Sequence, residues 1–336
     1  MITRRRAVLG LAGGLLLAGV ALLVVGLGVG SAGFEGVLQF PRDPLGWQIV
    51  RDIRLPRTLG AWLAGALLGL AGAVAQGLFR NPLADPFLLG SASGASLGVA
   101  LALALLGISP FATEWLVRIG LTGAAFAGAV AGVLLTLTLA RGVQHTLRLL
   151  LAGVIVGVVL GAAQELVTLA APGILQAMQA FMLGSTGFVG WPACIVLAAV
   201  LLPAMAATWA LAPVLDGLTL GEATAKSLGL PLAPMRAALV AVLALATGAA
   251  VAQTGLIAFV GLAAPHLVRS SVKATHGPLV VLSGLMGGLL LMSADLLARW
   301  VVAPQELPVG VLTALLGGSY LLWLMHHRGM RGSAFA

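Results

Sequence analysis

The chain reads as long apolar blocks separated by short polar connections. Arg4, Arg5 and Arg6 open onto an apolar run from Ala7 to Gly30, followed by a polar connection from Ser31 to Arg57 that holds Pro41, Pro44, Trp47 and the cluster Arg51, Asp52, Arg54 and Arg57. Apolar segments then recur at 58–79, 87–108, 119–140, 149–171, 192–213, 235–254, 255–268, 278–298 and 308–325. A hydrocarbon core about 30 Å thick needs about 20 apolar residues at a helical rise of about 1.5 Å each. The pattern therefore predicts an all-α polytopic membrane protein with about ten transmembrane helices. Segment 255–268 is short, and 174–184 reads as a partial helix after Pro172. The run from Ala7 to Gly30 is longer than the 7–15 residues or so of a signal peptide's apolar core, so it predicts an uncleaved first span, although Gly30, Ser31, Ala32 and Gly33 offer small residues for cleavage.

Composition sharpens the class. Of 336 residues 60% are hydrophobic and 8% charged, and the mean hydropathy is +1.10, which excludes a water-soluble domain with an ordinary polar surface. The formal charge of +8 does not point to nucleic acid, because the Lys and Arg residues are scattered between apolar blocks and form no basic face. Cys194, the one cysteine, has no intramolecular disulfide partner, so the compartment has to be read from topology.

With the N-terminus inside, the inner connections hold Arg4, Arg5, Arg6, Arg80, Arg141, Arg148, Lys226, Arg236, Arg269, Lys273, Arg328 and Arg331, while the outer ones hold Arg42, Arg51, Arg54, Arg57, Arg118 and Arg299. This asymmetry predicts both termini on the cytoplasmic side. Ala73-Val74-Ala75-Gln76 recurs as Ala250-Val251-Ala252-Gln253, and Ala84-Asp85-Pro86 is echoed by Ala263-Ala264-Pro265. The copies fall on the second and seventh spans, five apart in order, so the second runs in the opposite direction, as in inverted-repeat transporters. One transmembrane domain over 1–336 is expected, with a first half of about 1–190 and a second of about 191–336. Glycines four apart, as at Gly65 and Gly69, Gly128 and Gly132, Gly153 and Gly157, and Gly157 and Gly161, predict closely packed helices.

Polar groups at membrane depth cost enough that each needs a reason. Gln76, Gln164, Glu165, Gln253 and Asp295 are such groups. Asp295 and Arg299 stand four apart on one helix face, either as a structural pair or as a substrate contact. Glu165 has no local cation and faces either a watery pathway or another helix. His145, His266, His276, His326 and His327 fall near the inner ends of spans without metal-ligand spacing, and read as solvated interfacial residues. Neither paired carboxylates nor a serine–histidine–acid set can be placed in one site, so no catalytic residue is assigned. Leu215–Pro234 is the polar interruption that stands out. Its stretch from Gly221 to Ser227 lacks the glycine and spacing of a phosphate loop, so any ATP hydrolysis is expected on another chain.

Several stretches together resemble the permease subunits of ABC importers for ferric siderophores, haem and vitamin B12. They are Arg54-Leu55-Pro56-Arg57-Thr58, Asn81-Pro82-Leu83-Ala84-Asp85-Pro86, the run from Gly255 through Pro265 and His266 to Arg269, Ala294-Asp295 with Arg299, and Glu306-Leu307-Pro308-Val309-Gly310. The resemblance covers about residues 50–325. It implies a homodimer around a central path in the bacterial inner membrane, two cytoplasmic ATPase subunits holding ATP and Mg, and a periplasmic substrate-binding protein. It assigns no cofactor or metal to this chain. It implies that Arg54, Arg57 and Arg299 meet acidic residues of the binding protein; exposed arginines hold carboxylates bidentately, although membrane lipid phosphate is an alternative partner. Leu215–Pro234 resembles the segment that couples to the ATPase. There Leu218, Leu220, Ala223, Ala225 and Leu228 are expected to form an apolar contact face, Glu222 and Lys226 an exposed pair, and Gly221 and Gly229 sharp turns. The resemblance also places Gln164, Glu165 and Thr168 along the translocation path, with Glu165 departing from the apolar pattern. Gly317, Gly318, Ser319 and Tyr320 depart from the family's wording too. A secondary transporter driven by an ion gradient, acting without an ATPase, is the alternative; only Glu165 and Asp295 are available to it as buried titratable groups.

Overall fold

The computed structural model of the protein describes residues 2–30, 33–34, 44–106, 115–140, 146–229 and 231–332. Arg42, Arg141 and His145 lie outside them, as does Leu230 of the interrupting segment. The helices are α1 (Ile2–Gly28), α2 (Pro44–Ile49), α3 (Leu55–Phe79), α4 (Ser91–Leu106), α5 (Trp115–Leu139), α6 (Thr146–Ala170), α7 (Leu175–Leu183), α8 (Trp191–Thr219), α9 (Glu222–Ser227), α10 (Leu232–Thr254), α11 (Val260–Ser271), α12 (His276–Trp300) and α13 (Val309–Gly332). The one sheet among the described residues is a hairpin of two-residue strands, β1 (Val29–Gly30) and β2 (Gly33–Phe34). The expected apolar blocks correspond to α1, α3, α4, α5, α6, α8, α10, α11, α12 and α13. Seven helical stretches are long and apolar enough to cross a membrane, whereas α4 and the apolar part of α13, Val309–Tyr320, are shorter.

The supposed polar connection before Arg57 is in part helical. From Pro44 the chain is already wound, passing through a π turn at Val50–Arg54 into α3. Pro44 starts a helix, where its missing N–H is no loss, and Pro56 follows the turn that rearranges the hydrogen bonding around it.

Helix α3 is apolar on every side and forms the centre of the bundle: 89% of its most apolar window is buried, against 11% for α1. Helix α12 lies antiparallel along it, with Gly65 against Gly287 and Gly69 against Ser283. A Cβ on Gly65 would sit 2.3 Å from the Gly287 carbonyl oxygen, and one on Gly69 would sit 2.1 Å from that of Ser283, so only glycine permits this approach. Gly128, Gly132 and Gly153 fill the same role near α4, whereas Gly157 meets only the Ser93 hydroxyl at 3.6 Å and Gly161 faces open space. The glycine spacing thus overstated packing at the last two, because α6 turns that face away from its own bundle.

Helix α8 runs parallel to α3, with Cys194 Sγ donating to the Pro56 carbonyl at 3.1 Å and Leu215 beside Gly77. After α9 the chain returns in α10, which therefore runs opposite to α3, as the repeat of Gln76 at Gln253 required. The halves interlock: α3 packs on α11 and α12, while α10 packs on α5 and α4. The short block at 255–268 becomes the half-helix α11, which follows Phe259 at φ +68° and brings Gly261 against Gly72 of α3.

Candidate functional site

Three sets of polar residues stand out, one at each end of the bundle and one on its flank. At the first end α3 presents Arg57 and Thr58, α12 presents Asp295 and Arg299, the α12–α13 connection presents Glu306, and the α7–α8 connection presents Thr186. Arg57 Nε donates to Asp295 Oδ1 at 3.2 Å. Its two terminal nitrogens take Glu306 in a fork, Nη1 to Oε1 at 3.0 Å and Nη2 to Oε2 at 2.8 Å. Arg299 is paired with Asp295 and donates to the Thr58 hydroxyl at 3.2 Å, and Thr186 donates to Asp295. Arg54 Nη1 reaches the Leu27 carbonyl at 3.1 Å.

The arginines expected to dock an acidic partner are therefore brought together, but they are not exposed. Arg54 and Arg57 are 8% accessible and Arg299 1%. Asp295 is fully buried, and a carboxylate at that depth is tolerable only with cations and hydrogen-bond donors around it, so it draws the guanidinium groups inward. The structural pairing of Asp295 with Arg299 is present and extends to Arg57. Glu306, with its side chain 34% accessible, is the carboxylate of the knot that still meets solvent.

At the other end Leu215–Pro234 makes a tight excursion. Gly221 at φ +102° and Gly229 at φ +79° bracket α9 in conformations that residues with a Cβ rarely adopt. The expected apolar face is divided. Leu218 and Ala225 are fully buried in the bundle and hold the segment down, whereas Leu220 and Leu228 are each 63% accessible and Ala223 is exposed. The expected Glu222–Lys226 pair is absent too. Glu222 Oε1 instead accepts from Arg236 Nη2, near the start of α10, at 2.6 Å; Lys226 stays exposed. Burial alone would raise the Glu222 carboxyl, but the hydrogen bond and charge of Arg236, with Arg80 and Lys226 behind it, hold it below its ordinary value of 4.5.

Asp216, at the base of this excursion, accepts the first backbone N–H of α12 from His276 at 3.0 Å and lies 2.7 Å from His276 Nδ1. His276 and His266 are buried rather than solvated, and the His266 ring meets Tyr320 edge to face. Nearby, Gln76 Nε2 donates to the Leu262 carbonyl at 3.1 Å and Gln76 also pairs with Arg269. Sequence reasoning missed Arg236, Glu306, Thr186 and the Asp216–His276 contact as site residues. Glu306 lay within a quoted motif; the others join residues far apart in the chain, and no local spacing marks them.

On the flank, the residues expected along a path divide. Gln164 and Thr168 are buried and bonded to each other at 3.1 Å, while Glu165 points away from the bundle. It lies at helical spacing on a stripe with Leu151, Val154, Val158 and Leu169, all exposed in the single chain. A carboxylate on that stripe is costly against lipid, so the stripe is suited to a wet path or a partner helix.

Comparison with known proteins places these features in context. Residues 15–327 match the family model described as the FecCD transport family. The chain is 38% identical over 313 residues to the hemin transport system permease protein HmuU of Yersinia pestis, covering 93% of each chain. It is 38% identical over 288 residues to the vitamin B12 import system permease protein BtuC of Escherichia coli, covering 85% of this chain and 86% of that protein. A metal-chelate type ABC transporter solved in an inward-facing conformation superposes with a TM-score of 0.83 at 29% identity, over 94% of this chain and 98% of that one. The structure of PsaBC from Streptococcus pneumoniae in complex with Fab shares the fold at a TM-score of 0.53 and 20% identity, over 78% and 88% of the two chains.

Proposed function

The chain belongs to the FecCD transport family and is a multi-pass membrane permease subunit of an ABC importer, and on that premise we propose that its cargo is an iron chelate, a ferric siderophore or haem, with cobalamin as the other member of the same range. The observation that carries this reading is the match to a hemin permease over 93% of both chains, which is longer than the match to the vitamin B12 permease. The likeness to a metal-chelate transporter supports the same cargo class. The secondary transporter gains no support: Asp295 is locked between two guanidinium groups, and Glu165 is left as a lone candidate carrier.

In this reading the chain resides in the bacterial inner membrane with both termini cytoplasmic and works as a homodimer. ATP and Mg are held by two separate cytoplasmic ATPase subunits, and a periplasmic binding protein delivers the cargo. The exposed Leu220, Ala223, Lys226 and Leu228 contact the ATPase, while buried Leu218 and Ala225, the Glu222–Arg236 pair and the Asp216–His276 contact pass its movement to α10 and α12. Arg57, ordered from within by Asp295 and flanked by Arg54 and Arg299, receives an acidic residue of the binding protein. The Glu165 stripe lines the path or meets the second copy, with Gln164 and Thr168 stiffening α6 behind it. ATP then biases an equilibrium between outward-open and inward-open arrangements.

Uptake in proteoliposomes tests this. The chain reconstituted with its ATPase and binding protein is expected to accumulate labelled haem or ferric siderophore in a vanadate-sensitive manner. Uptake of cobalamin alone would change the cargo, and accumulation driven by an ion gradient through the purified chain alone would overturn the transporter class.

A further inference from the structure

Arg57 and Arg299 are paired with two carboxylates, Asp295 and Glu306, and the carboxylates are placed very differently. Asp295 is fully buried and touches Arg57, Arg299 and Thr186 at once, so it holds the arginines in position whatever lies outside. Glu306 sits at the solvent edge with its side chain 34% accessible, and takes both terminal nitrogens of Arg57 in the bidentate fork. A carboxylate brought by a partner would seek that same fork, and two carboxylates cannot share the same pair of donors.

We propose that Glu306 is a resident stand-in for the partner's carboxylate, and that docking exchanges one acid for the other on Arg57. The proposal rests on the reading of Arg57 as a docking residue. Exchange is physically undemanding: a partly solvated acid leaves as an equivalent acid arrives, so no buried charge is left unpaired and Asp295 is undisturbed. It also has a mechanical consequence. Glu306 belongs to the connection between α12 and α13, which the Leu307 N–H anchors to the Ala298 carbonyl at 3.0 Å. Gly310, the second residue of α13, is packed so closely that a Cβ there would lie 2.3 Å from the Leu183 carbonyl oxygen and 2.6 Å from that of Leu256. Release of Glu306 from Arg57 therefore frees the connection on the α3 side while α13 stays seated against α7 and the α10–α11 break. The arrival of the partner is then felt at the connection between α12 and α13.

The test uses the full complex with its ATPase subunits in lipid nanodiscs, and as probe the binding protein that raises ATP hydrolysis by the unmodified complex. Glu306→Gln removes the competitor, and binding is expected to tighten by about tenfold, with the gain fading as salt screens the exposed guanidinium. Glu306→Asp keeps a competing charge and is expected to bind within about twofold of the unmodified complex. If Glu306→Gln binds no more tightly while Arg57→Glu abolishes docking, the exchange is wrong and the docking reading stands. If Arg57→Glu binds as before, the docking reading itself fails. A measurement that leaves Glu306 in place guards against misfolding of the variant: spin labels at exposed Gln305 and Trp47 are expected to show a longer distance once the binding protein is seated, and an unchanged distribution overturns the exchange.

Discussion

Asp295 shows how much one side chain organises. It is fully buried, and its oxygens serve Arg57, Arg299 and Thr186 from three separate parts of the chain. Replacing it by asparagine keeps the shape but leaves two guanidinium groups short of a counter-charge, which for a buried pair costs about 3–5 kcal/mol. We expect Asp295→Asn to lower the thermal midpoint of the detergent-solubilised protein sharply in fluorescence-detected size exclusion; an unchanged midpoint would mean that water or lipid phosphate already compensates the arginines. The Asp295–Arg299 half of this network was legible from spacing, because residues four apart share a helix face. The Arg57 half was not, since its carboxylates lie more than two hundred residues away. The same spacing rule misled at Glu222 and Lys226. An exposed pair of that kind contributes only about 0.2–0.5 kcal/mol, too little to hold Glu222 against the better-placed Arg236.

At the scale of elements, the α8–α9–α10 excursion turns at two glycine corners, Gly221 and Gly229. Neither corner is crowded, since a Cβ on Gly221 or Gly229 would meet nothing within 4 Å. What a substitution costs there is backbone strain alone, about 1–3 kcal/mol for a residue forced into such a region. Gly229→Leu is therefore expected to insert and assemble normally but to uncouple, with ATP hydrolysis maintained and uptake per ATP strongly reduced. Normal uptake by this variant, measured against ATP consumed in proteoliposomes, would count against a coupling role. The turns themselves were readable from the glycines. Which leucines face the bundle was not, because α9 is six residues long and its facing is set by Leu218 and Ala225 finding the core, not by a stripe long enough to read.

For the molecule as a whole, the proposed orientation has a direct check. Cys194 is buried and the only native cysteine, so background labelling is low. A single cysteine at exposed Leu220 is expected to react with a membrane-impermeant thiol reagent in inverted vesicles and not in intact cells, and one at exposed Trp47 to show the reverse; the opposite pattern would invert the topology. The sequence by itself determined the membrane class, the number of apolar blocks, the antiparallel placement of α3 and α10, and the family, because hydrophobic length, charge asymmetry and motif order are properties of the chain as written. Only the tertiary structure decided that α3 is the central helix, that the halves interlock through α3 and α10, that Arg57 and Arg299 are buried around Asp295 while Glu306 caps Arg57, and that Glu165 parts company with Gln164 and Thr168. The physical reason is common to all four. In an apolar bundle nearly every helix face is hydrophobic, so composition cannot tell a face that meets lipid from one that meets protein. That choice is made where glycines let backbones touch and where buried charges find their partners across the chain.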